Sequence, residues 1–350
     1  ERAVEDPDPQ VRRLAMRAAW SVSPELEAPF LEDILRRGLE DPVPMVRIAA
    51  LQDEPGRGQA DGLACALALA TIGDAEVLVA LAAIDRLAAC RESDGAVAAL
   101  ERLVNDLSEV NAPRGWHRTA HALVSLAGAG PDRARAKLEQ FAGSLNWPLR
   151  LYAAKAAAVL RDQATLEKLS RDPDAAVAGE GRRGLSTLGG VPPPAPGTKT
   201  PPRPAAAPTV AEIRRLAAPR ARVTIRGVGS FDLALFTREA PATVLTFARL
   251  AEAGRYNGLP VGAVVPNSLL EALRLDDPGG EPVVARDEVG AWPHVRGAIG
   301  YSNDRGVFIN LVDNPAFDHE LTVFAQVLAG LDVIDKVREG DVIESVQILP

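Results

Sequence analysis

Three things are scarce in this chain of 350 residues: an excess of positive charge, long uninterrupted apolar runs, and cysteine. Lys and Arg number 23 against 28 Asp and Glu in residues 1–190, and 16 against 19 in the remainder. With neither half basic, nucleic acid is not the expected partner, because binding it rests mainly on neutralising phosphates. No apolar run reaches the roughly 18 to 20 residues that span a bilayer, so no membrane span is expected. No charged-then-apolar leader opens the chain. It begins at Glu1 and not at Met, an opening compatible with a removed leader or anchor. Two cysteines, Cys65 and Cys90, are too few for a disulfide framework, and both sit in apolar, helix-like stretches. Small buried thiols are expected there, with a disulfide as the alternative. What is present, 47% hydrophobic and 25% charged residues over a length that suits two domains, describes a soluble globular protein.

The boundary is marked by Val191 to Pro208, which holds eight prolines in eighteen residues. Proline fixes φ and removes a donor, so this stretch reads as an extended, semi-stiff linker. Residues 1–190 before it read as helical, rich in Ala, Leu, Arg and Glu with apolar residues at helical spacing. Val11, Leu14, Ala15, Ala18 and Val22 form one such face, as do Val77, Ala80, Leu81, Ile84 and Ala88, and Leu149, Tyr152, Ala153, Ala156 and Leu160. The text EDPDPQVRRLA from Glu5 recurs as EDPVPMVRIAA from Glu40 and more weakly as RDPDAAVAGEG from Arg171. Asp6, Asp41 and Asp172 are candidate helix caps, each followed by a proline that suits the first turn. The first apolar positions, Val11, Val46, Val77, Trp116, Leu149 and Val177, are 35, 31, 39, 33 and 28 residues apart. A period in the thirties predicts an all-α solenoid, in which stacking of units makes the core. Its DPxPxVRxxA text resembles HEAT repeats. That resemblance implies that Arg12, Arg47 and Arg150 join neighbouring units in Asp–Arg ladders, with partner binding as the alternative role.

Residues 209–350 follow a different pattern. Val223–Ile225 and Phe231, Leu233 and Leu235 alternate around Gly227–Ser230 and predict a β-hairpin. A helix is expected from Ala240 or Pro241 to about Glu252, stopped by Gly254, with Val244, Phe247, Ala248 and Ala251 inward. Further short strands are expected near residues 261–265, 298–301, 307–311, 322–327 and 342–348, a barrel or sandwich pattern.

The run FDLALFTREAPATVLTFARLAEAGRYNG from Phe231, and VFINLVDNPAFDHELTVFAQVLAGLDVIDKVREGDVI from Val307, resemble the cyclophilin-type peptidyl-prolyl isomerases. The resemblance covers nearly all of residues 222–349. It implies an eight-stranded antiparallel barrel capped by two helices, acting on X-Pro bonds without a cofactor or metal. It also implies a catalytic arginine in a Phe-His-Arg-Val-Ile-Pro stretch after Tyr-x-Gly. Tyr256, Gly258 and Pro266 pin that frame, so Val261 stands for the phenylalanine, Gly262 for the histidine and Ala263 for the arginine. The orienting glutamine falls on Glu271, and the glutamine of the Gln-Phe-Phe strand on Gly306. The implied proline pocket comprises Phe308, Leu269 in place of a methionine, Leu321 in place of a rim histidine, and Phe317 beside Ala316.

The catalytic positions are thus degenerate, while the substrate-binding set Phe308, Leu269, Leu321, Val261 and Phe317 stays apolar. Arg274, Arg296 and Arg305 lie near the site in sequence order and read as surface charge. His117 and His121 are spaced to face one metal, yet nothing nearby completes a ligand set. The expectation is a scaffold that binds protein or peptide partners, proline-containing or unfolded, with weak or no isomerase activity; the alternative is an active foldase whose repeats recruit clients. Richness in alanine, arginine and proline suggests a bacterial source. The tethered architecture leans toward the cell envelope or periplasm, with the cytoplasm as the alternative.

Overall fold

The computed structural model describes residues 2–23, 26–52, 61–91, 93–112, 114–189, 208–217, 219–273, 287–302 and 306–349. The chain divides into two compact units, residues 1–195 and 196–350. The expected linker lies outside the described residues except for Pro208.

In the first unit, α1 (Pro9–Ser21), α3 (Pro44–Leu51), α5 (Val77–Arg86), α7 (His117–Ala129), α9 (Trp147–Leu160) and α11 (Ala175–Thr187) pack each on the next to form one layer. The second layer is α2 (Ala28–Leu39), α4 (Asp61–Thr71), α6 (Asp94–Asn105), α8 (Pro131–Ala142) and α10 (Gln163–Leu169), each against the first-layer helix that follows it. Every first-layer helix begins within two residues of an apolar position that set the sequence period, so the repeat is a pair of helices. Val46, Ala80, Leu81, Ile84, Leu149, Tyr152, Ala153, Ala156 and Leu160 are buried, and stacking gathers these faces into two apolar clusters, one over the first helices and one running through the rest.

Two expectations about these helices need correction. The buried face of α1 is Met16, Ala19 and Trp20, whereas Leu14 and Val22 are 52% and 40% exposed. Both faces satisfy the 3.6-residue period, but the one that is buried carries Trp20, whose Nε1 donates to the Ala50 carbonyl of α3 at 3.1 Å. The caps are also shifted by two residues. Asp8 and Asp174 cap α1 and α11, and Pro9 and Pro44 occupy first turns. Asp41 and Asp172 instead accept the N–H of Val43 and Asp174 and face the preceding unit.

There they meet arginines. Arg12 grips Asp41 through Nε and Nη2 at 2.6 and 3.0 Å, Arg47 grips Asp74 at 3.0 and 3.1 Å, and Arg150 grips Asp172 at 2.7 and 2.9 Å. In each, Nη1 also donates to a carbonyl six residues back, at Asp6, Asp41 and Ser144. The fork thus fixes a carboxylate in the next unit and the backbone of its own. Leu78 and His117 hold the equivalent positions in α5 and α7. Across those levels runs a different chain, Asp85 Oδ1 to His121 Nδ1 and His121 Nε2 to Tyr152 OH, each 2.7 Å.

The two cysteines were expected to be free buried thiols; instead they are joined. α4 packs on the turn after α5, which brings the Cα atoms of Cys65 and Cys90 to 5.9 Å, within bridging range.

The second unit is a curled antiparallel sheet of eight strands in the order β3-β4-β6-β5-β7-β2-β1-β8. These are β1 (Arg220–Ile225), β2 (Gly229–Leu235), β3 (Val264–Val265), β4 (Leu269–Glu271), β5 (Ala298–Ser302), β6 (Gly306–Asn310), β7 (Thr322–Ala329) and β8 (Ile343–Leu349). Backbone hydrogen bonds between 258–261 and 340–343 tie the two edges together at one end. The expected hairpin is β1–β2, with Val223, Phe231 and Leu233 inward. The expected long helix is α13 (Pro241–Glu252), which lays Val244, Phe247, Ala248 and Ala251 over the sheet. Its cap residue, Ala240, has no side-chain acceptor, and Glu288 supplies one from afar, accepting the N–H groups of Ala242 and Thr243 at 3.1 and 2.8 Å. The other two helices are short, α12 (Val210–Arg215) and α14 (Leu331–Ile334). α12 is strapped to α13 by Glu212–Arg249 and Arg215–Glu252 ion pairs.

Candidate functional site

Side chains alternate across a strand, and directly paired residues share a face, so register decides what each side of the sheet displays. Leu270 pairs with Ile309 and Val264, and Val307 lies on that same side; these pack in the core of the unit. Leu269 pairs with Val265 and Asn310, Glu271 pairs with Phe308, and Phe308 pairs with Gly300. Ala263 accepts the backbone N–H of Glu271 at 2.9 Å and joins the same edge. The outward face of β3-β4-β6-β5 therefore carries Val265, Leu269, Glu271, Phe308, Asn310 and Gly300, with Ala263 at its end.

Phe308 is the centre of this face and is fully buried. Its ring lies 5.7 Å from His294, nearly parallel, and 5.7 Å from Phe317, edge to face; His294 and Phe317 are 5.6 Å apart. Only glycine fits beneath: a Cβ on Gly300 would stand 2.3 Å from Phe308 Cζ. His294 is 1% exposed. Asn310 Nδ2 donates to its Nδ1 at 3.2 Å and also to the Ala298 carbonyl, and His294 Nε2 donates to the Leu321 carbonyl at 3.3 Å. That network fixes a neutral Nε2–H tautomer. Burial pushes the His294 pKa down, against the opposing pull of the Leu321 carbonyl and the Asp318 charge. The cluster is an aromatic wall held by hydrogen bonds and carrying no charge.

The structure brings Phe308, Leu269 and Phe317 to this place, and Leu321 through its backbone carbonyl. Val261 goes elsewhere: it is 1% exposed in the core, its N–H bonded to the Asp341 carbonyl. Gly262 and Ala263 pair with Glu271 along the backbone and offer no side-chain donor. Glu271 is exposed and takes part in no ion pair among the described residues. Gly306 opens β6 with φ +78°, and Ala316 is exposed beside Phe317. Arg296 is fixed elsewhere, donating to Asp335 at 2.7 Å and to the Leu311 carbonyl at 2.6 Å; Arg274 and Arg305 lie outside the described residues. Sequence reasoning missed His294, Gly300 and Asn310. A solitary histidine in a stretch poor in them was the available signal for the first.

The helical unit offers less. His121 is committed to Asp85 and Tyr152, His117 stacks on Trp116 at 3.8 Å, and no cluster of three or more metal-ligating side chains occurs among the described residues. A cleft of about 290 Å³ beside α2 is lined by Arg2 and by Arg37, the latter paired with Glu5 and Asp33.

Comparison with known proteins falls on the second unit. Residues 220–349 match the family model described as cyclophilin type peptidyl-prolyl cis-trans isomerase/CLD. A peptidyl-prolyl cis-trans isomerase of Helicobacter pylori is 36% identical over 130 residues, 34% of this chain and 80% of the relative. The chain belongs to the cyclophilin-type peptidyl-prolyl isomerase family. A peptidyl-prolyl cis-trans isomerase-like 1 protein of Aspergillus oryzae is 29% identical over 126 residues, covering 31% of this chain and 76% of its own length. Among solved structures, a Cryptosporidium parvum cyclophilin-type isomerase aligns with TM-score 0.34 and 16% identity, over 38% of this chain and 98% of that one. The helices of residues 1–189 lie outside the family match, which makes the cyclophilin domain an addition to a separate helical stack.

Proposed function

We propose that this protein is a peptide-binding cyclophilin whose isomerase chemistry is weak or lost, tethered by the Pro-rich segment 191–208 to a HEAT-like scaffold formed by residues 1–190. The observation that carries the reading is the outward face around Phe308, where the position implied for the catalytic arginine is Ala263. Rotation about an X-Pro bond must break amide resonance, a barrier of about 18–20 kcal/mol. In the twisted state the proline nitrogen becomes a hydrogen-bond acceptor, so a donor fixed at that point lowers the barrier selectively. Losing one preorganised donor costs about 2.7–4 kcal/mol, a hundred- to a thousandfold in rate. What the described face retains, the Phe308–His294–Phe317 wall with Leu269, suits the grip on an apolar ring. The scaffold reading is supported by the repeated Arg–Asp forks, which would hold the stack in one curvature for extended protein partners.

A second reading, an active isomerase that serves as a foldase, is favoured by the names of the relatives. NMR exchange between the cis and trans signals of an Ala-Pro peptide, with the full chain added, separates the two. Shift changes on binding with exchange near the uncatalysed rate, on the order of tens of seconds, are expected. A kcat/KM of about 10⁶ M⁻¹s⁻¹ would overturn the proposal in favour of the foldase.

A further inference from the structure

Opposite Phe308 in the β4–β6 ladder stands Glu271. Residues paired this way have Cβ atoms about 4.5–5.5 Å apart on one face, and the distance is little more than one residue step of an extended peptide, about 3.3 Å. A proline held on this face beside Phe308 therefore places its immediate neighbours near the Glu271 carboxylate. The strand places this group outward: Leu269 and Leu270 on the same strand are buried, while Glu271 is exposed. Its backbone is fixed on both sides, by the Ala263 and Gly262 hydrogen bonds at 2.9 and 2.7 Å. A Cβ at Gly262 would stand 3.6 Å from Glu271 Oε2, so the carboxylate lies over the ground that Gly262 and Ala263 leave clear. On these strands Glu271 is the charged side chain among the described residues, Val265, Ala263, Leu269 and Phe308 being apolar, and Asp318, next to Phe317, is engaged by the backbone N–H of His294 at 2.6 Å.

We infer that the site selects proline segments flanked by lysine or arginine, with Glu271 as the specificity-determining residue. The inference rests on the reading of the Phe308 face as a peptide site. A single negative charge beside an apolar pocket attracts a cation and repels an anion at the same position, and the two effects add in the ratio between peptides. Because Glu271 is solvent-exposed, each effect is modest, and the ratio is screened by salt.

Fluorescence anisotropy with the full chain and three labelled, end-blocked peptides, Ala-Lys-Pro-Lys-Ala, Ala-Gln-Pro-Gln-Ala and Ala-Glu-Pro-Glu-Ala, tests this. Blocking removes terminal charges that would confuse the comparison. The Lys peptide should bind about tenfold more tightly than the Glu peptide at low salt, with the Gln peptide between them. That ratio should fall toward one in 0.5 M salt and in Glu271→Gln, and reverse in Glu271→Lys. Equal binding of all three peptides, or a Lys preference that survives Glu271→Gln, overturns the inference and leaves the peptide-site reading intact. No binding by any of them at millimolar concentration overturns both.

Discussion

Replacing Arg150 by methionine removes the best-formed fork of the ladder while keeping a long apolar stem. The guanidinium makes two bonds to Asp172, at 2.7 and 2.9 Å, and two to the Ser144 and Leu145 carbonyls, at 2.9 and 3.2 Å. Leu145 is fully exposed, so water replaces the partner of that carbonyl. The cost concentrates on Asp172, whose side chain is 6% exposed and keeps one backbone partner, the N–H of Asp174. Hydrogen bonds to charged groups contribute about 1.5–3 kcal/mol, and a fully buried carboxylate stripped of its partner costs about 3–5 kcal/mol. With the arginine itself 15% exposed the expected loss is about 2–3 kcal/mol, or a fall in Tm of about 4–12 °C for a unit of this size. Urea unfolding of the full chain, followed by tryptophan fluorescence, reads it, since Trp20, Trp116 and Trp147 lie in the helical unit. The sign with pH is fixed. Burial alone would raise the Asp172 pKa, but the Arg150 hydrogen bond, the Asp174 N–H and the Arg150 charge together hold it below the usual value. A carboxylate lowered by folding stabilises above its unfolded pKa, about 3.9, and that stability is lost as pH falls through the lower folded value. The gap between wild type and Arg150→Met should therefore be full at pH 7 and close below about pH 4. A variant within about 0.5 kcal/mol of wild type, or a gap that does not narrow as the pH falls below about 4, would refute the reasoning.

Two further outcomes test the architecture. With Cys65 and Cys90 joined across 25 residues, the denatured, unreduced protein purified from an oxidising compartment should show no reactive thiol, and reduction should destabilise the helical unit by about 3.5 kcal/mol on the chain-entropy account; two thiols titrating without reductant would reject the bridge. Expressed apart, residues 1–190 and 209–350 should each be soluble and melt cooperatively, and an unfolded half would show that the division at the Pro-rich segment is wrong.

The hairpin and long helix of the second unit were legible because β1 and β2 alternate and turn at glycine. Phe231, Leu233 and Leu235 announce β2, and Pro241 and Gly254 bracket α13, whose observed span is Pro241–Glu252. β4 was not legible: Leu269-Leu270-Glu271 does not alternate, and its existence depends on partners at 263–265 and 308–310 that only the folded sheet supplies. The site divides in the same way. Phe308, Leu269 and Phe317 sit in text that resembles the family and arrive together. Val261 sits in equally suggestive text but turns inward, because the chain there is bonded to 340–341 along the seam. His294 carries no motif; it becomes part of the site through two hydrogen bonds to residues 16 and 27 positions away.

The helical unit shows why a repeat can fade in sequence while persisting in structure. DPxPxVR text is clearest where an arginine reaches a carboxylate of the next unit, because that device needs a fixed residue at a fixed place: Arg12 with Asp41 and Arg47 with Asp74. At the levels of Leu78 and His117 the fork has no arginine to build it, and the text there is only periodic. The junction is made instead by side chains a turn further along, Asp85, His121 and Tyr152, with Trp116 edge-on to Tyr152 at 5.7 Å and the Lys155 ammonium over the tyrosine ring at 4.0 Å. Both devices satisfy the same requirement, a polar cross-link that fixes the rotation of one helix on the next. Stacking demands the period and a buried apolar face, and those survive through all six first-layer helices. The cross-link is free to change chemistry from level to level, and with it goes the sequence signature.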